Sequence, residues 1–196
     1  MLKVSGLGNG LLHDIQFSVA PGQCVSLSGP SGSGKTSLLR ALADLDEHHG
    51  QISWQGQAQQ DMPAHEWRRR IAYLPAESAW WFDYVREHFE TLEPKWLQAL
   101  NLHEAIQGAL VSGVSSGERQ RLALLRVISR VPEVLLLDEP TANLDEQTRE
   151  LVERFVENYR LEHQAAVIWV GHDPQQLQRV ATRHLIIDNN TVSERR

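Results

Sequence analysis

The sequence predicts an α/β protein with a mixed sheet core, an antiparallel β portion beside it and a small helical part. Three observations carry this expectation. The apolar runs Val134-Leu135-Leu136-Leu137 and Ala166-Val167-Ile168-Trp169-Val170 alternate with helix-forming stretches, the pattern of a parallel sheet covered on both faces. Residues 23–28, 29–36 and 37–43 succeed one another as an alternating strand, a glycine-rich loop and a helix. Short alternating segments in the first third are punctuated by Pro21-Gly22 and Gly56, as antiparallel strands and their turns are.

In chain order, Ile15, Phe17 and Val19 alternate with Asp14, Gln16 and Ser18 to give a half-buried strand. Gly50 closes a polar connection, and residues 51–54 read as a second short strand. Arg68, Arg69 and Arg70 form a charge run of the kind that marks a solvated face, and 71–74 returns to strand. From 76 the character changes. Trp80, Trp81, Phe82, Tyr84, Phe89 and Trp96 crowd together, Pro94 is placed to open a helix, and Leu97, Leu100, Leu102, Ile106 and Leu110 approximate a helical stripe. The expectation is one domain over 1–196 with a helical subdomain over about 76–130. A helix over 116–130, a strand over 134–138, a helix over 145–162, a strand over 166–170 and a hairpin turn at Asp188-Asn189-Asn190 complete the reading.

Composition narrows the function. The 196 residues are 41% hydrophobic and 22% charged, an ordinary globular balance. A net charge of −6 argues against a nucleic-acid surface over the whole protein, and no nucleic-acid partner is expected. The one cysteine, Cys24, lies in an apolar strand and is expected to be buried packing. No apolar run approaches the ~20 residues that span a bilayer and no secretory leader opens the chain, so the expectation is a soluble, cytoplasmic protein that meets a membrane only through a partner.

The chemistry begins at Gly29-Pro30-Ser31-Gly32-Ser33-Gly34-Lys35-Thr36, which fits G-x-x-x-x-G-K-[ST]. Glycines let the backbone curl so that successive N–H groups face phosphate oxygens. Lys35 reaches the β- and γ-phosphates in such a loop, and the Thr36 hydroxyl ligates Mg²⁺. The helix that follows, from Ser37, adds its positive end to the anion site. Four apolar residues then deliver Asp138 and Glu139 to a strand's end, where ligands of open α/β sheets bind. Asp138 is expected to hold Mg²⁺ through its water shell, and Glu139 to act as general base toward a water. Ser115 and Glu118 form an S-x-x-E capping box, a helix start that offers a second anion site.

Together these motifs resemble the nucleotide-binding domain of the ABC ATPase family over nearly the whole chain. Ser115-Ser116-Gly117-Glu118 is similar to the signature motif, Glu139-Pro140-Thr141-Ala142-Asn143-Leu144-Asp145 to the stretch from the catalytic acid into the D-loop, and His172 to the switch histidine. The resemblance implies an ATP hydrolase with ATP and Mg²⁺ as cofactors. Two copies would close head to tail, each nucleotide lying between Lys35 and the rest of 29–37 of one chain and Ser115 and Gly117 of the other. Glu139 would position water, His172 would contact the γ-phosphate, and Asp145 would lie at the dimer seam.

Three departures stand out. Ala76 falls where the family has a glutamine, and Glu77 beside it is either a substitute metal contact or, the expectation adopted, a solvated carboxylate; Ser116 replaces a signature glycine. No aromatic residue for stacking on adenine occurs over 4–12, and Leu7 is the apolar surface expected instead.

Among functions, the resemblance implies the ATP-binding subunit of a membrane transporter, peripheral to the inner membrane through a permease. The aromatic segment lies where family members receive a permease's cytoplasmic helix. The alternative is a soluble mechanical ATPase, which needs a long coiled-coil insertion that the sequence lacks. The closing stretch 166–173 and the compact insert are similar to bacterial ATPases paired with proposed iron exporters.

Overall fold

In the computed structural model, which describes residues 1–195, the chain builds two sheets. The elements run β1 (Leu2–Gly8), β2 (Ile15–Val19), β3 (Cys24–Ser28), α1 (Lys35–Leu42), β4 (His49–Trp54), β5 (Gln57–Ala58), α2 (Ala64–Arg70), β6 (Ile71–Leu74) and α3 (Pro94–Ala99). They continue as α4 (Ser116–Ile128), β7 (Val134–Asp138), α5 (Glu146–His163), β8 (Ala166–Val170), α6 (Pro174–Val180), β9 (Arg183–Asp188) and β10 (Thr191–Arg195). The smaller sheet, in the order β2-β1-β4-β5, is antiparallel throughout. The larger follows β10-β9-β3-β8-β7-β6 and is parallel except for the β10 edge.

Period-two alternation sorts the parallel strands between two cores. Val25 and Leu27, Val134 and Leu136, and Ala166, Ile168 and Val170 face α1 and the antiparallel sheet. Cys24, Leu135, Leu137, Val167 and Trp169 face the side covered by α4 and α5, where Leu122, Leu125, Val152 and Val156 pack. Because both faces are covered, β7 and β8 read as unbroken apolar runs. The turn between β9 and β10 puts Asn189 at φ 47° and Asn190 at φ 62°, as a two-residue hairpin connection demands.

The segment 76–113 departs from the expected stripe. Its regular helix is the short α3, opened by Pro94 at the first turn, and single 3₁₀ turns cover Val85–His88, Glu104–Gly108 and Val111–Gly113. Leu97, Leu100, Leu102 and Ile106 do reach the core, whereas Leu110 is 49% exposed. Leu97 and Leu100 come from α3 and its end, Leu102 from the connection beyond it and Ile106 from the next turn, so several short pieces build the apolar contact expected of one helix.

Its aromatic residues divide. Trp80, Phe89 and Trp96 pack against the core, while Trp81, Phe82 and Tyr84 are 60%, 49% and 43% exposed. Buried His88 organises the exposed set: its Nε2 accepts the backbone N–H groups of Trp81 and Phe82 at 3.0 and 3.1 Å. Its Nδ1 meets the Tyr84 carbonyl at 3.1 Å, so this nitrogen carries the ring proton and the imidazole is neutral. Arg126 of α4 lays its guanidinium 4.6 Å from the Trp80 ring centre and 4.7 Å from that of Trp81.

Candidate functional site

The C-terminal ends of β3, β6, β7 and β8 meet along one edge of the parallel sheet, and each delivers part of the site. After β3 the chain turns through Gly29 at φ 150°, where a Cβ would stand 2.6 Å from the Ile187 carbonyl oxygen. It enters α1 through Gly34 at φ 100°, where a Cβ would stand 2.8 Å from Leu12 Cδ2. Glycine is required at both places by backbone conformation and by space. Pro30, Ser31 and Gly32 form the exposed rim between them. No side chain caps α1, so the N–H groups of its first turn, at Lys35, Thr36 and Ser37, are left for a ligand.

Lys35 is only 7% exposed, and its Nζ donates to the carbonyls of Gly29 and Pro30, both at 2.9 Å. An ammonium has three protons, so one remains for another acceptor. No ion pair reaches Lys35 among the described residues. A buried cation without a carboxylate is costly unless an anion joins it. The Ser33 hydroxyl beside it is buried and also lacks a partner. The loop therefore has the donors and the charge that fit a nucleoside phosphate.

Asp138, 3% exposed at the end of β7, accepts the Thr36 hydroxyl at 2.8 Å and the Tyr73 hydroxyl at 3.0 Å on the same oxygen, Oδ2. The contact with Asp138, together with burial, pushes the Tyr73 phenol well above the usual range, burial contributing most. Among the described residues no group of three or more His, Cys, Asp or Glu side chains is placed to hold a metal. One hydroxyl and one carboxylate instead suit Mg²⁺, which keeps several waters and takes its remaining ligands from phosphates.

Glu139 follows at φ 51°, a left-handed conformation uncommon for a residue with a side chain and one that recurs at functional sites. Its N–H donates to the Val170 carbonyl at 3.2 Å, and its own carbonyl accepts Gln120 Nε2 at 3.0 Å. These bonds tie the bend to β8 and α4. Its carboxylate meets His172 Nε2 at 2.7 Å, and both side chains are solvent-accessible.

The structure thus pairs Thr36, next to Lys35, with Asp138, and Glu139 with His172. Ser115 and Asp145 stand apart. Ser115 caps α4, and all its side-chain contacts lie in that helix's first turn: its hydroxyl donates to Glu118 Oε2 at 2.6 Å. The hydroxyl and backbone N–H of Ser115 hold the Glu118 carboxyl below its ordinary range. Gly117 is the second residue of α4, where a Cβ would come 3.2 Å from Leu144 Cδ2. Asp145, fully exposed, caps α5 by accepting the Thr148 N–H and hydroxyl at 2.9 and 2.8 Å, which lower its pKa. Ala76 and Glu77 line a cleft of about 660 Å³ with Trp80, Arg119, Gln120 and Asn143.

Leu7 does not serve as an apolar surface: it is completely buried. The exposed neighbour is Leu11, at 38%, whose side chain lies against Gly34. Its turn is held by Asn9, which accepts the N–H groups of Leu11 and Leu12 and donates to Ser37 Oγ at 2.8 Å. The Asn9-Gly10 pair is the sequence signal for this turn. Tyr73 is the other contributor to the site that spacing does not reveal.

A glycine loop with unpaired donors, a strand-end carboxylate bonded to its threonine, and a second acid paired with a histidine make one candidate site suited to a nucleoside phosphate. The chain belongs to the ABC transporter family, whose profile matches residues 12–142. It is 31% identical over 202 residues to the sulfate/thiosulfate import ATP-binding protein CysA of Bacillus cereus, covering 93% of this chain and 56% of that protein. The chain thus spans little more than half the length of such relatives. It is 29% identical over 180 residues to the probable iron export ATP-binding protein FetA of Escherichia coli, covering 85% of this chain and 80% of FetA. A solved ATP-binding subunit of an ABC transporter superposes with a TM-score of 0.90 at 23% identity, covering 100% of this chain and 89% of that one, and shows the same fold.

Proposed function

We propose that this chain is the ATP-binding and ATP-hydrolysing subunit of a membrane ABC transporter. The observation that carries the reading is the buried Lys35 ammonium, without a carboxylate, at the mouth of a loop whose neighbours are Thr36, Asp138, Glu139 and His172. The N–H groups of Lys35, Thr36 and Ser37 and the remaining Lys35 proton bind the phosphates of ATP. Thr36 and Asp138 hold Mg²⁺, which neutralises phosphate charge when bound. Glu139 accepts a proton from the water that attacks the γ-phosphorus, and His172 holds that carboxylate in place through the observed contact.

Two copies close head to tail, with Ser115 and Gly117 of one completing the nucleotide site of the other and Asp145 at the seam. The exposed Trp81, Phe82 and Tyr84 support a protein partner, since contiguous apolar surface on a soluble face marks an interaction site. That partner is the cytoplasmic part of a permease, which places the subunit at the inner face of the membrane. Similar chains are named for sulfate import and for iron export, so the cargo stays open.

The test is phosphate release by the purified chain with ATP and Mg²⁺. Wild type is expected to turn over ATP, and Lys35→Ala to lose ATP binding in equilibrium dialysis. A wild-type chain that neither binds nor cleaves ATP would overturn the proposal.

A further inference from the structure

Asp138 is nearly inaccessible, yet one of its oxygens takes two hydroxyl donors while the other accepts no hydrogen bond among the described residues. Thr36 stands on α1, directly after the phosphate loop, and Tyr73 on β6, the strand next to β7. In the register of these strands Tyr73 pairs with Leu136, two residues before Asp138, so the phenol reaches along the strand to the carboxylate. The two hydroxyls converge on Oδ2 and leave Oδ1 for whatever occupies the loop.

We propose that Tyr73 is a positioning residue for the metal site: its hydroxyl holds Asp138 Oδ2 so that Oδ1 faces the metal's water shell. This rests on the reading of Thr36 and Asp138 as metal-holding groups. The division of labour follows from chemistry. A threonine hydroxyl that ligates a cation through a lone pair keeps its O–H for Asp138, but its oxygen must then follow the metal. The phenol has no such second duty. It is the donor fixed by the sheet alone that keeps a buried carboxylate from rotating, and a hydrogen bond to an ionised acceptor is among the stronger ones. Tyr73 also lies three residues before Ala76, where β6 runs into the cleft that Glu77 and Trp80 line. The phenol is therefore a direct polar link from the metal carboxylate to the strand that carries the exposed aromatic segment.

Tyr73→Phe keeps the ring and removes only the donor. The measurement is Mn²⁺ binding, by electron paramagnetic resonance, to wild type and variant carrying a slowly hydrolysed ATP analogue, with analogue binding in EDTA determined on the same samples. Expected is a fall in Mn²⁺ affinity of about 5-fold or more in the variant, with metal-free analogue binding within 2-fold of wild type. ATP turnover by the variant should fall at limiting Mg²⁺ and recover at saturating Mg²⁺. Unchanged Mn²⁺ affinity overturns the proposal. So does an equal loss of metal-free analogue binding, which would make Tyr73 a support of the loop as a whole. Wild type that binds the analogue but no Mn²⁺ with it would instead overturn the reading of Thr36 and Asp138.

Discussion

His172 Nε2 and Glu139 Oε1 lie 2.7 Å apart and join the ends of the neighbouring strands β8 and β7. With Glu139 ionised, the imidazole N–H donates to Oε1, and the other carboxylate oxygen takes no hydrogen bond among the described residues. Glu139→Gln preserves size and removes the proton acceptor. ATP turnover should fall by roughly 10²-fold or more, the scale of a lost general base, while ATP binding persists. His172→Ala should lower turnover with the Glu139 side chain intact. Wild-type phosphate release from Glu139→Gln would remove that residue from the chemistry.

Ser115 makes its hydrogen bonds within its own helix turn and none to the phosphate loop. If a second copy supplies the loop it faces, the Glu139→Gln chain should shift from monomer to dimer on adding ATP in sedimentation velocity. Ser115→Arg in that background should abolish the shift. An ATP-driven dimer indifferent to Ser115→Arg would refute head-to-tail closure through this residue.

The backbone at Trp81 and Phe82 depends on one acceptor, His88 Nε2. His88→Phe retains an aromatic ring but leaves two N–H groups without that partner, at a cost of about 1 kcal/mol, the net worth of an ordinary hydrogen bond on residues that water can reach. Limited proteolysis should then cleave near 79–84 faster than in wild type, with ATP binding little changed. Equal cleavage rates would show that the ring contacts alone hold the segment.

Burial pushes the Cys24 thiol up to about 12, because a thiolate at the base of β3 would lose its hydration. The unfolded thiol ionises near 8.5, so above that pH the unfolded state has released a proton that the folded state keeps. By linkage, the contribution is fully present below about pH 8.5 and is lost as pH rises toward 12. Urea midpoints measured from pH 8 to 10 should fall less steeply for Cys24→Ala than for wild type, even though the variant starts lower. Parallel slopes would rule this out. In the same range, native protein should resist thiol alkylation that proceeds readily in urea.

The amino-acid sequence by itself determined what rests on spacing along the chain. Strand, glycine loop and helix at 23–43, the acids closing β7, the capping box at Ser115 and the hairpin at Asn189-Asn190 each depend on neighbours a few residues away. Tertiary structure decided what rests on which face a residue presents and what stands opposite. Leu7 shows the difference. Strict alternation from buried Leu2 and Val4 turns residue 7 outward, but the pairing of β1 with β2 shifts between Val4 and Leu7, and Gly6 takes φ 62°. That irregularity reverses the parity and sends Leu7 into the core, leaving Leu11 beside the phosphate loop. Likewise, no local pattern announces that the Tyr73 hydroxyl meets Asp138, 65 residues away, or that His88 gathers three aromatic rings. Those contacts arise because β6 is laid beside β7 and the 76–113 segment folds back on itself: sheet order and packing set them, and neither is a property of local sequence.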